Sequence, residues 1–431
     1  MKKLYNKIVL IFALSAGTIN CNAQNWNNIA SMQNFNFGCG TETFLNWNNS
    51  MFVIGNFTKV AGDTSIRCVA RWDSTNWYNV GSAIFSGIGV YAGCVYNNQL
   101  YVAGEFFNVN GKSALRIARW NGSIWDSVKG GLSYFPNPSV SAMCVYNNEL
   151  YIALGYGLVK WNGTNYTLVS SNTKSINTML VHNGYLYLAG GGTAGEFTVS
   201  PHIIKFDGTN FTGVGLGFDT NPGTVINTMV VHNNELYVGG DINMSGTDTI
   251  DNLARWNGIK WNALKPSQKI NSGVKGLASD GVKLYITGNF WKVGTTTCNR
   301  ALSWDGTNYT VMGSATYGKI AHIYKNQLYT GGCAVERWSG TISPSGINEI
   351  SNADISINIY PNPSNGIIHL EKNNNAPTSL EIINLLGQTV FQQALYSPTE
   401  TIDVTNLEAG FYTLHLIEKN SISTKKIIIQ K

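Results

Sequence analysis

Residues 97–125 read NNQLYVAGEFFNVNGKSALRIARWNGSIW, and the same grammar returns along most of the chain. Each copy has an Asn-rich turn, a Leu-Tyr strand, a variable loop, an Ala-Arg-Trp-Asn-Gly segment and an outer aromatic. Taking the second residue of each Leu-Tyr pair as a ruler gives Phe52, Tyr101, Tyr151, Tyr187, Tyr237, Tyr285 and Tyr329, separated by 49, 50, 36, 50, 48 and 44 residues. A second anchor keeps step at Trp72, Trp120, Trp161, Phe206, Trp256, Trp304 and Trp338. A third follows four or five residues later at Trp77, Trp125, Tyr166, Phe211, Trp261 and Tyr309. Self-similarity at this period means a repeat architecture, which settles the fold class before any single element is assigned.

Each unit resolves into four short strands. Ser141–Tyr146 meets an Asn-Asn turn, Leu150–Ala153 returns, Leu158–Trp161 follows a loop, and an Asn-Gly turn leads to Tyr166–Val169. Asn-Gly and Asp-Gly between apolar runs are strong hairpin signals, because they reach positive φ cheaply. Four strands every ~45 residues is the spacing of a propeller blade. The last repeat stops at Arg337-Trp338-Ser339-Gly340 without its outer aromatic strand, while Asn25-Trp26-Asn27-Asn28-Ile29 matches Asn76-Trp77-Tyr78-Asn79-Val80. The N-terminal segment therefore reads as the missing strand of the last blade, leaving no open sheet edge. The expectation is an all-β chain: a seven-bladed β-propeller over residues 24–340, closed by its N-terminal strand. Six or eight blades follow if the short repeat between Tyr151 and Tyr187 is misassigned.

Charged residues make up 12% of the chain and aromatics another 12%, against about a quarter charged in an ordinary soluble domain. A neutral, Asn- and Thr-rich surface suits an extracellular β protein. The formal charge of +5 includes Lys2, Lys3 and Lys7 of a leader, and the remaining cations form no stripe of the kind nucleic acid requires. The start MKKLYNK, the apolar run Ile8–Ala16 and the small residues around Cys21-Asn22-Ala23 read as a cleaved secretion signal, residues 1–23. The run is too short to span a bilayer, so no transmembrane segment is expected in the mature chain. Cys21 admits a lipoprotein anchor, but Ile19-Asn20 before it lack the small residues that lipidation wants. Six cysteines remain, Cys39, Cys68, Cys94, Cys144, Cys298 and Cys333, with no C-x-x-C pair, so zinc and thiol-redox motifs are absent. Cys94 and Cys144 share a repeat position that elsewhere holds Leu45, Leu180, Val230 and Ala278, which reads as a small buried hydrophobe.

The pattern L-Y-x-x-G-x-F followed by A-R-W-N-G-x-x-W resembles bacterial kelch-like and galactose-oxidase-like propeller repeats, and the repeats of fungal cortical cell-polarity markers. The resemblance covers residues 24–340 and implies a fold, not an activity. Its Gly-Gly after the second strand is clear only at Gly190-Gly191, Gly239-Gly240 and Gly331-Gly332.

After Gly340, TISPSGINEISN (residues 341–352) reads as a linker. Residues 353–431 hold about seven short alternating strands, which predicts a small immunoglobulin-like β-sandwich. Tyr360-Pro361-Asn362-Pro363, Leu386-Gly387-Gln388, the run from Leu407 through Gly410 to Tyr412, and the terminal Lys425-Lys426-Ile-Ile-Ile-Gln-Lys431 resemble the type A C-terminal sorting domain of type IX secretion cargo. That resemblance implies inner-membrane passage by the signal peptide, recognition by the type IX secretion machinery, and release or attachment at the outer cell surface.

Chemistry is sparse. His182 and His232 share a column with Trp47, Tyr96, Tyr146, Asp280 and Tyr324, which reads as a semi-exposed strand end. No H-x-H, H-E-x-x-H or nucleophile elbow occurs, so no catalytic residue and no cofactor is assigned. Asp241, Asp248 and Asp251 fall in one loop that admits a calcium ion. The long loops within and between blades fall on one face, where binding usually resides, and that face includes Phe35, Phe37 and Phe106. The ligand-binding candidates are Phe85, Phe107, Tyr134, Phe135, Phe218 and Trp291, each of which is alternatively a loop anchor folded inward.

These observations lead to a secreted or surface-attached binding or adhesion module for a glycan or a surface protein. A glycan-active hydrolase or lyase on the same scaffold is the alternative, and a non-binding structural component is a third. Two carboxylates ~5–10 Å apart in a pocket would favour the enzyme, and an aromatic-rimmed face without paired acids would favour binding.

Overall fold

In the computed structural model, residues 25–33, 40–81, 85–135, 138–340, 342, 357–372, 378–384, 389–395, 397–418 and 421–430 are described. The expected leader, Cys39, Phe35, Phe37, Gly387 and nearly all of the expected linker lie outside them. The chain divides into two compact units, Met1–Ser343 and Pro344–Lys431. Apart from one short 3-10 turn at Glu196–Val199, the regular elements among the described residues are strands.

In the first unit, seven antiparallel sheets of four principal strands are described. Their innermost strands are Gly40–Trp47, Phe85–Tyr96, Val140–Tyr146, Ile176–His182, Val225–His232, Val274–Ser279 and Ile320–Tyr324. Each packs against the next, and Ile320–Tyr324 returns to Gly40–Trp47, so the series closes. In six of the seven sheets the turn between first and second strands is a true two-residue hairpin: Asn97 and Asn98 have φ of 47° and 54°, and Asn233 and Asn234 of 49° and 60°; in the sixth, four residues separate Ser279 from Leu284. The Asn-Gly turns between third and fourth strands differ from expectation. In NGSI only Gly122 takes positive φ, while Asn121 Oδ1 accepts the amides of Ser123 and Ile124, both at 2.9 Å. The asparagine there caps an Asx turn and stays out of the left-handed region.

The last sheet gains its fourth strand from the N-terminal segment. Trp26–Gln33 pairs antiparallel with Ala334–Trp338, placing Trp26 opposite Trp338. The Trp26 indole also donates to Met312 O at 2.7 Å, in the preceding sheet. The outer aromatics repeat this bond around the ring: Trp125 Nε1 donates to Val80 O at 2.7 Å, and Trp261 Nε1 to Val214 O at 2.9 Å. Tyr166 Oη donates to Val128 O at 3.1 Å. Each aromatic buries its body between two sheets and satisfies its polar tip on the neighbour's backbone.

The column that holds His182 and His232 forms a second set of latches. Tyr96 Oη donates to Asn148 O, Tyr146 Oη to Gly184 O, and Tyr324 Oη to Asn49 O, at 3.1, 2.9 and 2.7 Å. His232 takes the same role with its Nδ1 2.8 Å from Ser279 Oγ. It is buried, which corrects the semi-exposed reading for His232, whose strand end is enclosed by the next sheet's turn, while His182 is half-buried. Cys333 is disulfide-bonded, whereas Cys68, Cys94, Cys144 and Cys298 are free, with Cys94 and Cys144 half-buried.

The second unit has two antiparallel sheets among its described residues. One orders Ile357–Tyr360, Ile367–Lys372 and Thr399–Asp403; the other orders Thr389–Leu395, Thr378–Ile383, Gly410–Glu418 and Ser421–Ile429. Ile368, Leu370 and Ile402 of the first sheet share a core with Leu380, Ile382, Leu414 and Leu416 of the second.

Candidate functional site: the mouth of the central channel

In six of the innermost strands the register slips by one residue near the start, at Thr41/Thr43, Val90/Ala92, Val140/Ala142, Ile176/Thr178, Ile226/Thr228 and Val274/Gly276. Each slip is a β-bulge, which leaves one residue unpaired and re-aims its side chain. The residues so displaced are Glu42, Tyr91, Ser141, Asn177, Asn227 and Lys275, and Lys319 holds the corresponding place before the seventh strand. All seven line one cavity of about 650 Å³, to which every innermost strand contributes. The same cavity is also lined by Phe44, Met143, Met179 and Leu277. The volume lies within the ~300–1,000 Å³ of small-molecule sites.

In five of the six bulged sheets a glycine faces the slip, and Leu154 holds that place in the third. On the second strands Gly55, Gly104, Gly190, Gly240 and Gly288 pair with Thr41, Val90, Ile176, Ile226 and Val274. A Cβ on Gly240 would lie 2.1 Å from Val225 O, and one on Gly104 would lie 2.3 Å from Gly89 O. Only a residue without a side chain lets the bulged strand approach so closely.

Hydrogen bonds tie the bulged side chains to the next sheet. Asn177 Nδ2 donates to Ile226 O and Asn227 Nδ2 to Val274 O, both at 3.1 Å, and Ser141 Oγ donates to Ile176 O at 2.5 Å. Thr43 Oγ1 donates to Tyr91 O at 3.1 Å. Lys275 Nζ lies 2.7 Å from Asp241 Oδ2, and Lys319 Nζ lies 2.6 Å from Glu42 Oε2. Burial, reinforced by the nearby carboxylates of Glu105 and Glu42, raises the Tyr91 phenol above its ordinary range, so it stands as a neutral hydroxyl at physiological pH.

The aromatics expected on the loop face divide into two groups. Tyr134, Trp291 and Phe107 are 64%, 55% and 53% exposed, Phe107 with the Arg116 guanidinium above its ring. Phe218 is 3% exposed and packs on Trp261 at 5.1 Å. Phe85 is half-buried between Phe106 and Trp125, with Phe106 fully buried. Phe135 is half-buried, stacked against Tyr134 at 4.5 Å. Phe218, Phe85 and Phe106 therefore act as anchors: each loop fastens itself by burying one ring, and sequence does not say which.

The three aspartates offered for calcium do not converge. Asp241 pairs with Lys275, Asp248 with Lys260 at 2.8 Å, and Asp251 with Lys269 at 3.2 Å. Among the described residues no group of three or more His, Cys, Asp and Glu side chains comes together.

In the second unit the sorting motifs meet. Asn362 Oδ1 accepts the Ile428 amide at 2.9 Å, Ser364 N donates to Ile428 O, and Gln430 N donates to Ser364 O, both at 2.8 Å. The Tyr360–Pro363 turn, whose two X-Pro bonds are cis, is thus held to the strand that carries Lys425 and Lys426. Tyr360 Oη donates to Glu371 at 2.6 Å, and Tyr412 Oη donates to Glu408 O at 2.8 Å. Gly410 pairs with Ile429.

Residues 358–430 match the family described as secretion system C-terminal sorting domain. The second unit is a type IX secretion sorting domain. It directs the chain to the cell surface or the extracellular space. Residues 97–122 match a β-propeller domain of unknown function, which agrees with the closed ring of sheets, and neither match is to kelch or galactose-oxidase repeats. No curated protein matches the chain. Among solved structures, PorZ, an essential bacterial surface component of the type IX secretion system of Porphyromonas gingivalis, aligns at 13% identity over 93% of this chain and 61% of that one, with a TM-score of 0.47. The BT4673 extracellular domain of B. thetaiotaomicron aligns at 12% identity over 94% and 59%, with a TM-score of 0.48. This chain spans about three fifths of the length of those two. No helix among the described residues is long and apolar enough to cross a membrane.

Proposed function

We propose that this chain is an exported binding module: a seven-bladed β-propeller that takes a glycan or protein ligand at the mouth of its central channel, delivered by an immunoglobulin-like sorting domain after removal of residues 1–23. The observation that carries the reading is the bulge repeated in six innermost strands, which brings Glu42, Tyr91, Ser141, Asn177, Asn227 and Lys275 to one cavity. Bulges gather next to functional sites, where they re-aim side chains. Here they gather side chains of differing chemistry on a rigid frame. The seven-blade count is supported by the closed succession of innermost strands.

Binding is favoured over hydrolysis by the state of the acids. Glu42 and Asp241 are each taken up by a lysine, and the Glu105 carboxylate accepts the Ser139 hydroxyl, an arrangement that fixes a surface and does not offer a free acid–base pair. Phe107, Tyr134 and Trp291 are exposed but do not line the channel cavity.

The test is binding of the purified mature chain to glycan and outer-surface-protein arrays, with Asn177→Ala/Asn227→Ala as the channel variant and its thermal midpoint as the folding control. Selective binding by the native chain, lost in a folded channel variant, is the expected outcome. Binding that persists unchanged in that variant would remove the channel from the account.

A further inference from the structure

We propose that the channel mouth recognises an uncharged sugar unit, seated between Asn177 and Asn227 on one side and the Glu42–Lys319 ion pair on the other. The inference rests on the reading of the channel as the ligand site and names the ligand's chemistry.

Charge balance argues first. The ionised side chains that line the mouth are matched within the protein, Lys319 by Glu42 and Lys275 by Asp241, and the Glu105 carboxylate near Tyr91 accepts the Ser139 hydroxyl. An anionic ligand would gain a lysine only by separating it from its carboxylate, which would then be left in a recess without a counter-charge. A cationic ligand meets the mirror-image problem. Both pairs are part-exposed, so each separation carries the modest cost of a surface ion pair, enough to set a preference. An uncharged ligand leaves both pairs intact.

Hydrogen-bonding capacity argues next. Asn177 and Asn227 each spend an Nδ2 proton on the next sheet's backbone, which fixes the amide plane and offers Oδ1 as an acceptor. Lysine ammoniums carry three protons each, of which the carboxylate pairing uses a part, and Tyr91 supplies a hydroxyl. The wall therefore carries both senses, with Asn177 and Asn227 adjoining as acceptors and Lys275 and Lys319 adjoining as donors. A sugar hydroxyl is donor and acceptor at once, so adjacent hydroxyls on one ring can satisfy such a wall in either sense. An extended peptide presents its donors and acceptors along a line and has no comparable fit to a closed ring. Two residues further along their strands than Glu42, Ser141, Asn177 and Lys275, the side chains of Phe44, Met143, Met179 and Leu277 add apolar lining suited to the C–H face of a pyranose. The sorting domain delivers the chain to where such glycans are met.

The experiment is calorimetric titration of the purified mature chain with three probes. They are uncharged hexoses and their disaccharides, including N-acetylglucosamine; glucuronate as the size-matched anion; and a pool of unstructured peptides. Each is repeated on Asn177→Ala, on the isosteric double variant Glu42→Gln/Lys319→Met, and on Tyr134→Ala. Saturable binding of an uncharged sugar, weakened at least tenfold in both channel variants and unchanged in Tyr134→Ala, is the expected result. The double variant keeps side-chain volume, so it remains informative if Asn177→Ala fails to fold. Preference for glucuronate or peptide that is lost in the channel variants overturns the sugar assignment and leaves the channel as the ligand site. Sugar binding that ignores every channel variant overturns both. No heat with any probe overturns the sugar assignment.

Discussion

Lys319 Nζ lies 2.6 Å from Glu42 Oε2, so the innermost strand of the last sheet is joined to the bulge of the first. The pair links the last sheet of the ring to the first, and its side chains are 46% and 26% exposed. A pair this open contributes at most ~1 kcal/mol. The charge-swapped variant Lys319→Glu/Glu42→Lys should therefore unfold within ~1 kcal/mol of the native chain in urea, while Lys319→Glu alone, which sets two carboxylates together, should unfold earlier than either.

Closure itself should be costly to lose. Trp26 is buried against Trp338 with ring centroids 5.5 Å apart, and its indole nitrogen is bonded to the sixth sheet. Trp26→Ala removes a large buried ring and orphans a carbonyl, for an expected loss of about 3–5 kcal/mol. Deleting residues 25–33 should go further and produce aggregation, because Ala334–Trp338 then becomes an exposed edge. Denaturation midpoints and light scattering check the two outcomes.

Gly240→Ala should destabilise by more than ~2 kcal/mol, since its Cβ would lie 2.1 Å from Val225 O and nothing can yield except the bulged backbone. Gly258→Ala makes the contrast: its position is open, with φ of 93°, and its cost is that of left-handed backbone alone, about 1 kcal/mol. Equal losses in the two variants would deny that the glycine column holds the bulges in place.

The histidines of the first unit set an acid limit. Burial lowers the imidazoles of His182, His202 and His232, and pushes His322 down to about 4. Below its ordinary pKa of ~6.5 each of these groups is protonated in the unfolded chain before it is in the folded one, so stability is full above that value and falls as pH drops toward 4. The turn aspartates Asp73, Asp207 and Asp305, held low by backbone amides, lose their contribution only below about pH 4, so the two windows separate. Urea midpoints at pH 7.5, 5.5 and 4.5 should decline, and His322→Gln, which retains a partner for Asn46, should flatten the decline.

The ring was legible because its signal is redundant. The Leu-Tyr pairs, the Trp-Asn-Gly turns and the unmatched Trp26 each report the same period. The site was not, because a bulge adds one residue inside a strand and leaves that period untouched. Its seven positions share no residue type: Glu42, Tyr91, Ser141, Asn177, Asn227, Lys275 and Lys319 look like noise in a repeat alignment. The trace it does leave is the glycine that faces the slip on the second strand, at Gly104 and Gly240 among others, which reads at first as an imperfect kelch signature. The loop aromatics were visible as a class, but whether Phe218 anchors or Trp291 protrudes depends on what each loop folds over. Asp241 shows the same limit, since its partner Lys275 belongs to the next sheet.

The measurement closest to the central claim is the affinity of the mature chain for its best array ligand, compared between Lys275→Met and Trp291→Ala. Channel binding predicts at least a tenfold loss in Lys275→Met with Trp291→Ala within twofold of the native chain. The opposite ranking would place recognition on the loop aromatics and contradict the channel as the site.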